Sequence, residues 1–359
     1  MKLKAQEFVL VRSKEEILRT LDQNGCLDGM PFMPEMFEFC EKQLRVFKRA
    51  HKTCDTINDT GARSVTNAVH LEGARCNGAA HGGCQAECLI FWKEAWLKRT
   101  SSARSGDLAR SLPIHPQEAG IGCSEIDVLA HVFEGGKTPA SEPVYSCQAT
   151  RLFQASRPLS PRDWRQYWED YASGNFGLKW MLGVISYAGY SALISHCRPG
   201  GWTRRVLYWI YNGVRMAGRQ TRHPRTKGRI PVGSPTPAVN LGLQPGEMVR
   251  VKSFDAILNT IDEDYKNRGM VWDAEMVPYC GGVFRVRNRI RQIIDEKTGK
   301  MLHLKSEPVT LEGAVCKARY SNCRYFCPRS IFPYWREIWL ERLSQGAPAP
   351  RPGNEGREL

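Results

Sequence analysis

The stretch Glu7-Phe8-Val9-Leu10-Val11-Arg12-Ser13 returns 240 residues later as Glu247-Met248-Val249-Arg250-Val251-Lys252-Ser253, and reading the two together decides the architecture. In each, Val9 and Val11, or Val249 and Val251, are expected to alternate with less buried neighbours, which is the period of a strand with one buried face. Ser13 and Ser253 then precede apolar positions at helical spacing, Ile17, Leu18 and Leu21 against Ile257, Leu258 and Ile261, so each serine is expected to cap a short helix. Outward from this point the register holds without a gap. Gly29-Met30 faces Gly269-Met270, Glu35-Met36 faces Glu275-Met276, Arg45-Val46 faces Arg285-Val286, and Leu71 to Ala74 faces Leu311 to Ala314. After a one-residue deletion and a four-residue insertion, Trp92, Glu94, Trp96, Leu97 and Arg99 face Trp335, Glu337, Trp339, Leu340 and Arg342. A repeated module shows which positions it needs, because those are the ones both copies keep.

Further strands are expected at Gln43 to Lys48 and Val283 to Arg287, and at His70 to Glu72 and Val309 to Leu311, with a hairpin turn at Asp295 to Lys300 in which Gly299 takes positive φ. This succession of short strands resembles small SH3-like barrels of the type found in translation and transcription proteins, a resemblance that implies a fold and no activity. The expected fold class is α+β: two homologous β-barrel-like (SH3-like) modules at residues 1–100 and 246–343, flanking a mostly helical middle at 121–230. Linkers are expected at 101–120 and 231–245, and a disordered tail at 344–359.

Four cysteines are matched between the copies: Cys40 with Cys280, Cys76 with Cys316, Cys84 with Cys323, and Cys88 with Cys327. The spacings are Cys-x35-Cys-x7-Cys-x3-Cys and Cys-x35-Cys-x6-Cys-x3-Cys. Four thiolates complete a tetrahedral zinc site or bind an iron-sulfur cluster, and in a small module metal-binding energy is folding energy. The expectation is two zinc ions, one per module, with two iron-sulfur clusters as the alternative, since Cys323 to Pro328 matches the end of the bacterial ferredoxin pattern. Buried core thiols are the plainer alternative. A helix starting at Cys84 would set Cys84 and Cys88 one turn apart on one face. His51 and His81, which have no histidine opposite them, are expected at the surface, with replacement of a thiolate ligand as the other reading. The Trp92/Trp96 and Trp335/Trp339 pairs are expected in the core rather than as base-stacking platforms. As a whole, the chain resembles bacterial proteins that carry the same paired cysteine module; the resemblance implies no particular activity.

Composition narrows the classes. A chain of 359 residues, 42% hydrophobic, can bury a sizeable core, and 13 cysteines are too sparse for a disulfide miniprotein. Met1 to Glu7 has no apolar run of the kind a secretory signal needs, so a reducing cytoplasm is expected. The middle offers Cys147 as a nucleophile with His131 as its base, or as a structural cysteine, with β-like pieces around Cys123, His131 and Tyr145 to Thr150. An amphipathic helix is expected over Asp163 to Tyr171, and a buried helix over the uncharged Trp180 to Ser195, with a membrane-associated segment as its alternative.

From Arg198 to Arg229 stand nine basic residues and no acid, and without them the net charge of +14 falls to +5. Arg204, Arg205, Arg215, Arg219, Arg222, Arg225, Lys227 and Arg229 are the candidate anion-binding residues, interleaved with Trp202, Tyr208, Trp209 and Tyr211. Such a belt suits phosphate backbones or an anionic membrane face, a solvated helix being the plainer reading. The expected function is a metal-binding tandem-module protein whose anionic partner is nucleic acid. An iron-sulfur redox or biosynthetic protein and a membrane-peripheral assembly factor are the alternatives.

Overall fold

The computed structural model describes residues 2–100, 123–136, 142–196, 201–217, 223–321 and 323–343, without the side chains at 204, 212 and 214–217. The expected linker at 101–120 and tail at 344–359 lie outside these. The fold is mixed α+β and divides into two compact units that do not follow the sequence modules. Unit 1 is Met1–Phe176 with Gln292–His303 and Phe326–Arg329; unit 2 is Gly177–Arg291 with Leu304–Tyr325 and Ser330–Leu359. Two short pieces of the second copy therefore belong to unit 1.

Unit 1 is built on a five-stranded antiparallel sheet in the order Trp92–Lys93, Ala68–Leu71, Gln43–Arg49, Phe8–Val11, Leu97–Arg99. Val9 and Val11 point inward and are fully buried, as their alternation requires. Ser13 ends the first strand and caps helix α1 (Lys14–Leu18): its Oγ accepts the Glu16 N–H at 3.3 Å and the Glu16 carboxylate accepts the Ser13 N–H at 3.2 Å. In unit 2 the sheet runs Val309–Leu311, Val283–Arg289, Met248–Val251, Leu340–Arg342. Its pairing repeats the first residue for residue. Val9 lies opposite Leu44 and Arg99, Val249 opposite Phe284 and Arg342, and the long strand is irregular at Val46/Lys48 in one sheet and at Val286/Asn288 in the other.

None of the sheets closes into a barrel, which departs from the SH3-like expectation. Closure needs tilted strands staggered around the ring. Here the edge strands, Trp92–Lys93 and Leu97–Arg99, are only two and three residues long, and no ladder pairs them with each other. The expected helix after Cys84 is also absent. An isolated bridge pairs Leu89 with Arg75, and Trp92–Lys93 pairs with Ala68 and Val69, so the apolar Leu89-Ile90-Phe91-Trp92 run is taken up by the sheet.

The tryptophans fill the cores as expected. Trp92 and Trp96 meet Phe32 edge-on at 6.3 and 5.2 Å, and Trp335 and Trp339 meet Trp272 edge-on at 5.7 and 5.0 Å. An arginine–glutamate pair is repeated too, buried in unit 1 and half-buried in unit 2: Arg49 Nη1 donates to Glu94 at 2.5 Å and Arg289 Nη1 to Glu337 at 2.7 Å. Each of these carboxylates also accepts a backbone N–H at 3.0 Å, from Leu3 and from Leu243. Leu243, in the expected linker 231–245, is thereby buried in unit 2.

Within the middle, α2 (Glu125–Ala130), α3 (Gln148–Arg151) and α4 (Arg165–Ala172) belong to unit 1, and α5 (Leu178–His196) and α6 (Trp202–Ala217) to unit 2. The β-like pieces expected around Cys123, His131 and Tyr145–Thr150 are largely helical. Ser124 caps α2, Cys147 stands at the start of α3, and Val144 and Tyr145 make only isolated bridges. Helix α5 is buried on one face alone, through Met181, Val184, Tyr187 and Ile194. Among the described residues no helix is long and apolar enough to cross a membrane.

Candidate metal centre

Glu35 sits in the 3₁₀ turn Pro34–Phe39, and its side chain receives the loop that follows Cys76. That loop folds tightly: a Cβ at Gly78, whose φ is +70°, would lie 2.0 Å from the Cys84 carbonyl oxygen, so only glycine fits. Glu35 Oε1 accepts the Ala80 N–H at 3.1 Å and lies 2.7 Å from His81 Nδ1. The other ring nitrogen of His81 is 3.2 Å from the Ser146 carbonyl oxygen, so both ring nitrogens are engaged. Burial works to raise the Glu35 pKa, but the His81 hydrogen bond and charge outweigh it and hold the carboxyl below its ordinary value. Its second oxygen, Oε2, is buried and has no partner. One donor atom each from Glu35, Cys76 and His81 lie within 4.8 Å of one another.

The second copy repeats this buttress without the donor set. Glu275 Oε1 accepts the N–H groups of Tyr320 and Ser321 at 2.5 and 2.9 Å and the Ser321 hydroxyl at 3.1 Å. Ser321 thus stands where the first copy has His81. Burial pushes the Glu275 carboxyl upward, the reverse of Glu35, because no imidazole faces it.

Cys76 and His81 also line a cavity of about 50 Å³ inside unit 1, together with Cys84, Cys88, Cys147, Glu296 and Arg329. Glu296 and Arg329 come from the two returning pieces of the second copy, and their charges pair at 2.9 Å. Cys84 Sγ accepts the Ile294 N–H at 3.3 Å and Cys327 Sγ accepts the Cys54 N–H at 3.2 Å. Burial pushes the Cys88 thiol up to about 12 and Cys147 to about 11, and raises Cys76 as well. These are neutral thiols until something stabilises the thiolate. Cys147 is therefore no activated nucleophile, and His131 has Nδ1 engaged by the Asp127 carbonyl at 2.7 Å.

The structure brings together some expected ligands and not others. Among the described residues, Glu35, Cys76 and His81 form the only group of three or more such donors within 4.8 Å, so no three thiols of either quartet approach that closely. Cys40 and Cys280 hold equivalent places at the ends of 3₁₀ turns, donating their N–H groups to Phe37 and Val277 at 3.1 Å and packing on the two cores. Cys84 and Cys88 reach the cavity. Cys316 donates its N–H to Ile331, and Cys323 is exposed in the left-handed region at φ 57°. Cys327 lies buried in unit 1, whereas Cys280, Cys316 and Cys323 belong to unit 2.

Both histidines expected at the surface are interior. His81 is 1% exposed; His51 points Nε2 at the Gln166 carbonyl, 3.2 Å away, and lies 3.5 Å from Asp170. Glu35 was visible in the sequence only as a matched pair with Glu275, and Arg329 lies in the stretch where the second copy is four residues longer. Neither position carried a ligand-type spacing that would single it out.

The buried imidazoles set a pH dependence. Burial lowers His51 to about 4 and His70 to about 3, so both stay neutral in the fold while the unfolded chain takes up protons near 6.5. Their contribution is present above pH 6.5 and is lost as pH falls towards 4. Asp170, raised by burial to about 6, works in the opposite direction between 6 and its ordinary value. The two histidines outweigh it, and stability is expected to fall by roughly 4 kcal/mol between pH 7 and pH 4. Urea midpoints that stay level or rise over this range would refute the assignment.

Of the basic belt, Arg205 is exposed on α6, while Arg219, Arg222 and the side chains of Arg204 and Arg215 lie outside what is described. Three others are engaged within unit 2: Arg225 donates to the Tyr320 carbonyl at 2.8 Å, Lys227 pairs with Glu263 at 3.8 Å, and Arg229 meets Asn259 and Asp255 at 2.7 and 3.3 Å. No protein-family model, curated protein or solved structure matches the chain.

Proposed function

We propose that this is a metal-binding protein in which Glu35, Cys76 and His81 hold one zinc ion, and in which the basic helix α6 meets an anionic partner. The observation that carries the metal reading is the approach of a carboxylate, a thiol and an imidazole to within 4.8 Å; a buried, unpartnered carboxylate oxygen is common to Glu35 and Glu275, and among the described residues only Glu35 has the thiol and imidazole beside it. Oxygen, sulfur and nitrogen donors together make a zinc set, and three protein donors are the count of an open site rather than a closed structural one. The adjoining cavity of about 50 Å³ has room for a water or two. A zinc ion bound there would supply a Lewis acid with an exchangeable position. Cys76 would release its proton on binding, and the Ser146 carbonyl would keep the His81 ring in place. The two-zinc expectation becomes one, because Ser321 stands in the place of His81. The matched strand order also supports reading the two sheets as open relatives of the SH3-like fold.

One observation favours a second reading. Cys76, Cys84, Cys88 and Cys147 line a single cavity and Cys84 Sγ accepts an amide N–H, as cluster ligands do, so an iron-sulfur cluster is the alternative occupant. Anaerobic purification with metal analysis and a visible spectrum separates the two. A colourless protein with a single zinc per chain is expected, its affinity falling at least about tenfold in His81→Ala and in Cys76→Ser but not in Cys280→Ser. Iron with broad visible absorbance would replace zinc by the cluster. A wild type that retains neither metal would sink both readings.

A further inference from the structure

We infer that the outer faces of α5 and α6 form a docking surface for an anionic lipid bilayer. This deepens the reading of α6 as the element that meets an anionic partner, and it stands apart from the metal centre.

The sequence of both helices is one-sided in charge. Neither α5 nor α6 contains an aspartate or glutamate, while α6 carries Arg204, Arg205 and Arg215. Each helix is also two-faced. On α5 the inward residues Met181, Val184 and Tyr187 are buried, whereas Leu178, Leu182 and Ile185 are exposed at spacings of four and three, one continuous row. On α6 the row is Trp202, Val206, Trp209 and Ile210, with the two tryptophans 76% and 77% exposed. The opposite side of α6 is the one that anchors it. Tyr211 stacks on Tyr190 of α5 with centroids 4.3 Å apart, and Tyr208 and Tyr211 meet His223 edge-on at 4.7 and 5.2 Å. The aromatic face holds the pair within unit 2, and the apolar rows face outward.

Single exposed apolar residues are ordinary, but two helical rows of them, with arginine and no acid, match a helix lying in a bilayer interface. Exposed Trp202 and Trp209 are the residue type that anchors at the headgroup level, and Arg205 would meet anionic headgroups. Nucleic acid fits the same face less well. Five of the seven row residues, Leu178, Leu182, Ile185, Val206 and Ile210, are aliphatic and offer bases nothing to stack on, whereas all seven suit an acyl-chain boundary.

The test is co-sedimentation of the full chain with vesicles of phosphatidylcholine alone or with about one third phosphatidylserine, beside a single-stranded oligonucleotide titration in the same buffer. Partition onto the anionic vesicles is expected to be at least about tenfold stronger than onto the neutral ones. It is expected to be lost in Leu182→Glu with Trp209→Glu, and weakened by the milder Ile185→Ser with Ile210→Ser should the first pair disturb the far-ultraviolet circular dichroism. Oligonucleotide binding without vesicle binding would overturn the lipid surface and keep the anionic partner. Binding to neither would overturn both, and vesicle binding untouched by the folded variants would overturn the assignment to α5 and α6.

Discussion

Asp170→Ala is expected to lower the stability of unit 1 by about 3–5 kcal/mol. Its carboxylate, on α4, lies 2.5 Å from Lys52 Nζ, and the two residues are 0% and 1% exposed. Around the ammonium stand Gln166 Oε1 at 3.3 Å and the rings of Tyr167 and Phe326 at 5.1 and 5.2 Å, which give some relief but no countercharge. Burial already lowers the Lys52 pKa against the pull of Asp170, so the variant's lysine would shed its proton rather than remain an isolated buried charge. That response limits the loss without abolishing it. Replacing both partners, Lys52→Met with Asp170→Leu, should restore most of the lost stability, because an apolar pair of similar volume removes the desolvation penalty of both ions. Urea denaturation reads each variant, and a single-variant cost under about 1 kcal/mol would show that the pair is solvated in the folded protein.

Trp96→Ala in unit 1 and Trp339→Ala in unit 2 should each cost about 3–5 kcal/mol. Both indoles are fully buried, and both donate Nε1–H to a threonine hydroxyl at the matched position, Thr20 at 3.0 Å and Thr260 at 3.1 Å. The alanine cost combines lost apolar burial, the cavity left behind, and the loss of the indole hydrogen bond; the threonine hydroxyls keep their own bonds to the Ile17 and Ile257 carbonyls at 2.7 Å. Phenylalanine at either position keeps most of the volume and should cost about 1–2 kcal/mol, chiefly the indole hydrogen bond and its edge-on contacts. A loss below about 1 kcal/mol in either alanine variant would mean that the core relaxes around the gap, and would remove that tryptophan from its central place.

The elements legible in the sequence are those held by local chemistry. Val9 and Val249 alternate with less buried neighbours, and both are fully buried on interior strands of their sheets. Ser13 and Ser253 accept N–H groups three residues on, as capping serines do. Gly299 turns its hairpin at φ 70°. The helix expected after Cys84 failed because an i, i+4 tryptophan pair also fits a two-residue strand followed by a 3₁₀ turn, and the neighbouring strand Ala68–Leu71 supplied the partner that settled it. His81 was visible as a difference between the copies, yet its burial was not, since the loop around it contains glycine, alanine and asparagine and has no apolar period.

The sequence by itself determined that there are two copies of one module, where the first strand of each and its capping serine lie, and that tryptophan fills each core, because these follow from side-chain periodicity and hydrogen bonds spanning a few residues. Only the tertiary structure decided which cysteines meet. Sulfur positions depend on how Gln292–His303 and Phe326–Arg329 return to unit 1, on 3₁₀ turns that draw Cys40 and Cys280 into the cores, and on a Glu35 carboxylate that draws His81 towards Cys76. Matched spacing along a chain constrains contour length, whereas ligation depends on distance in space, and loop paths and long-range pairing set that distance.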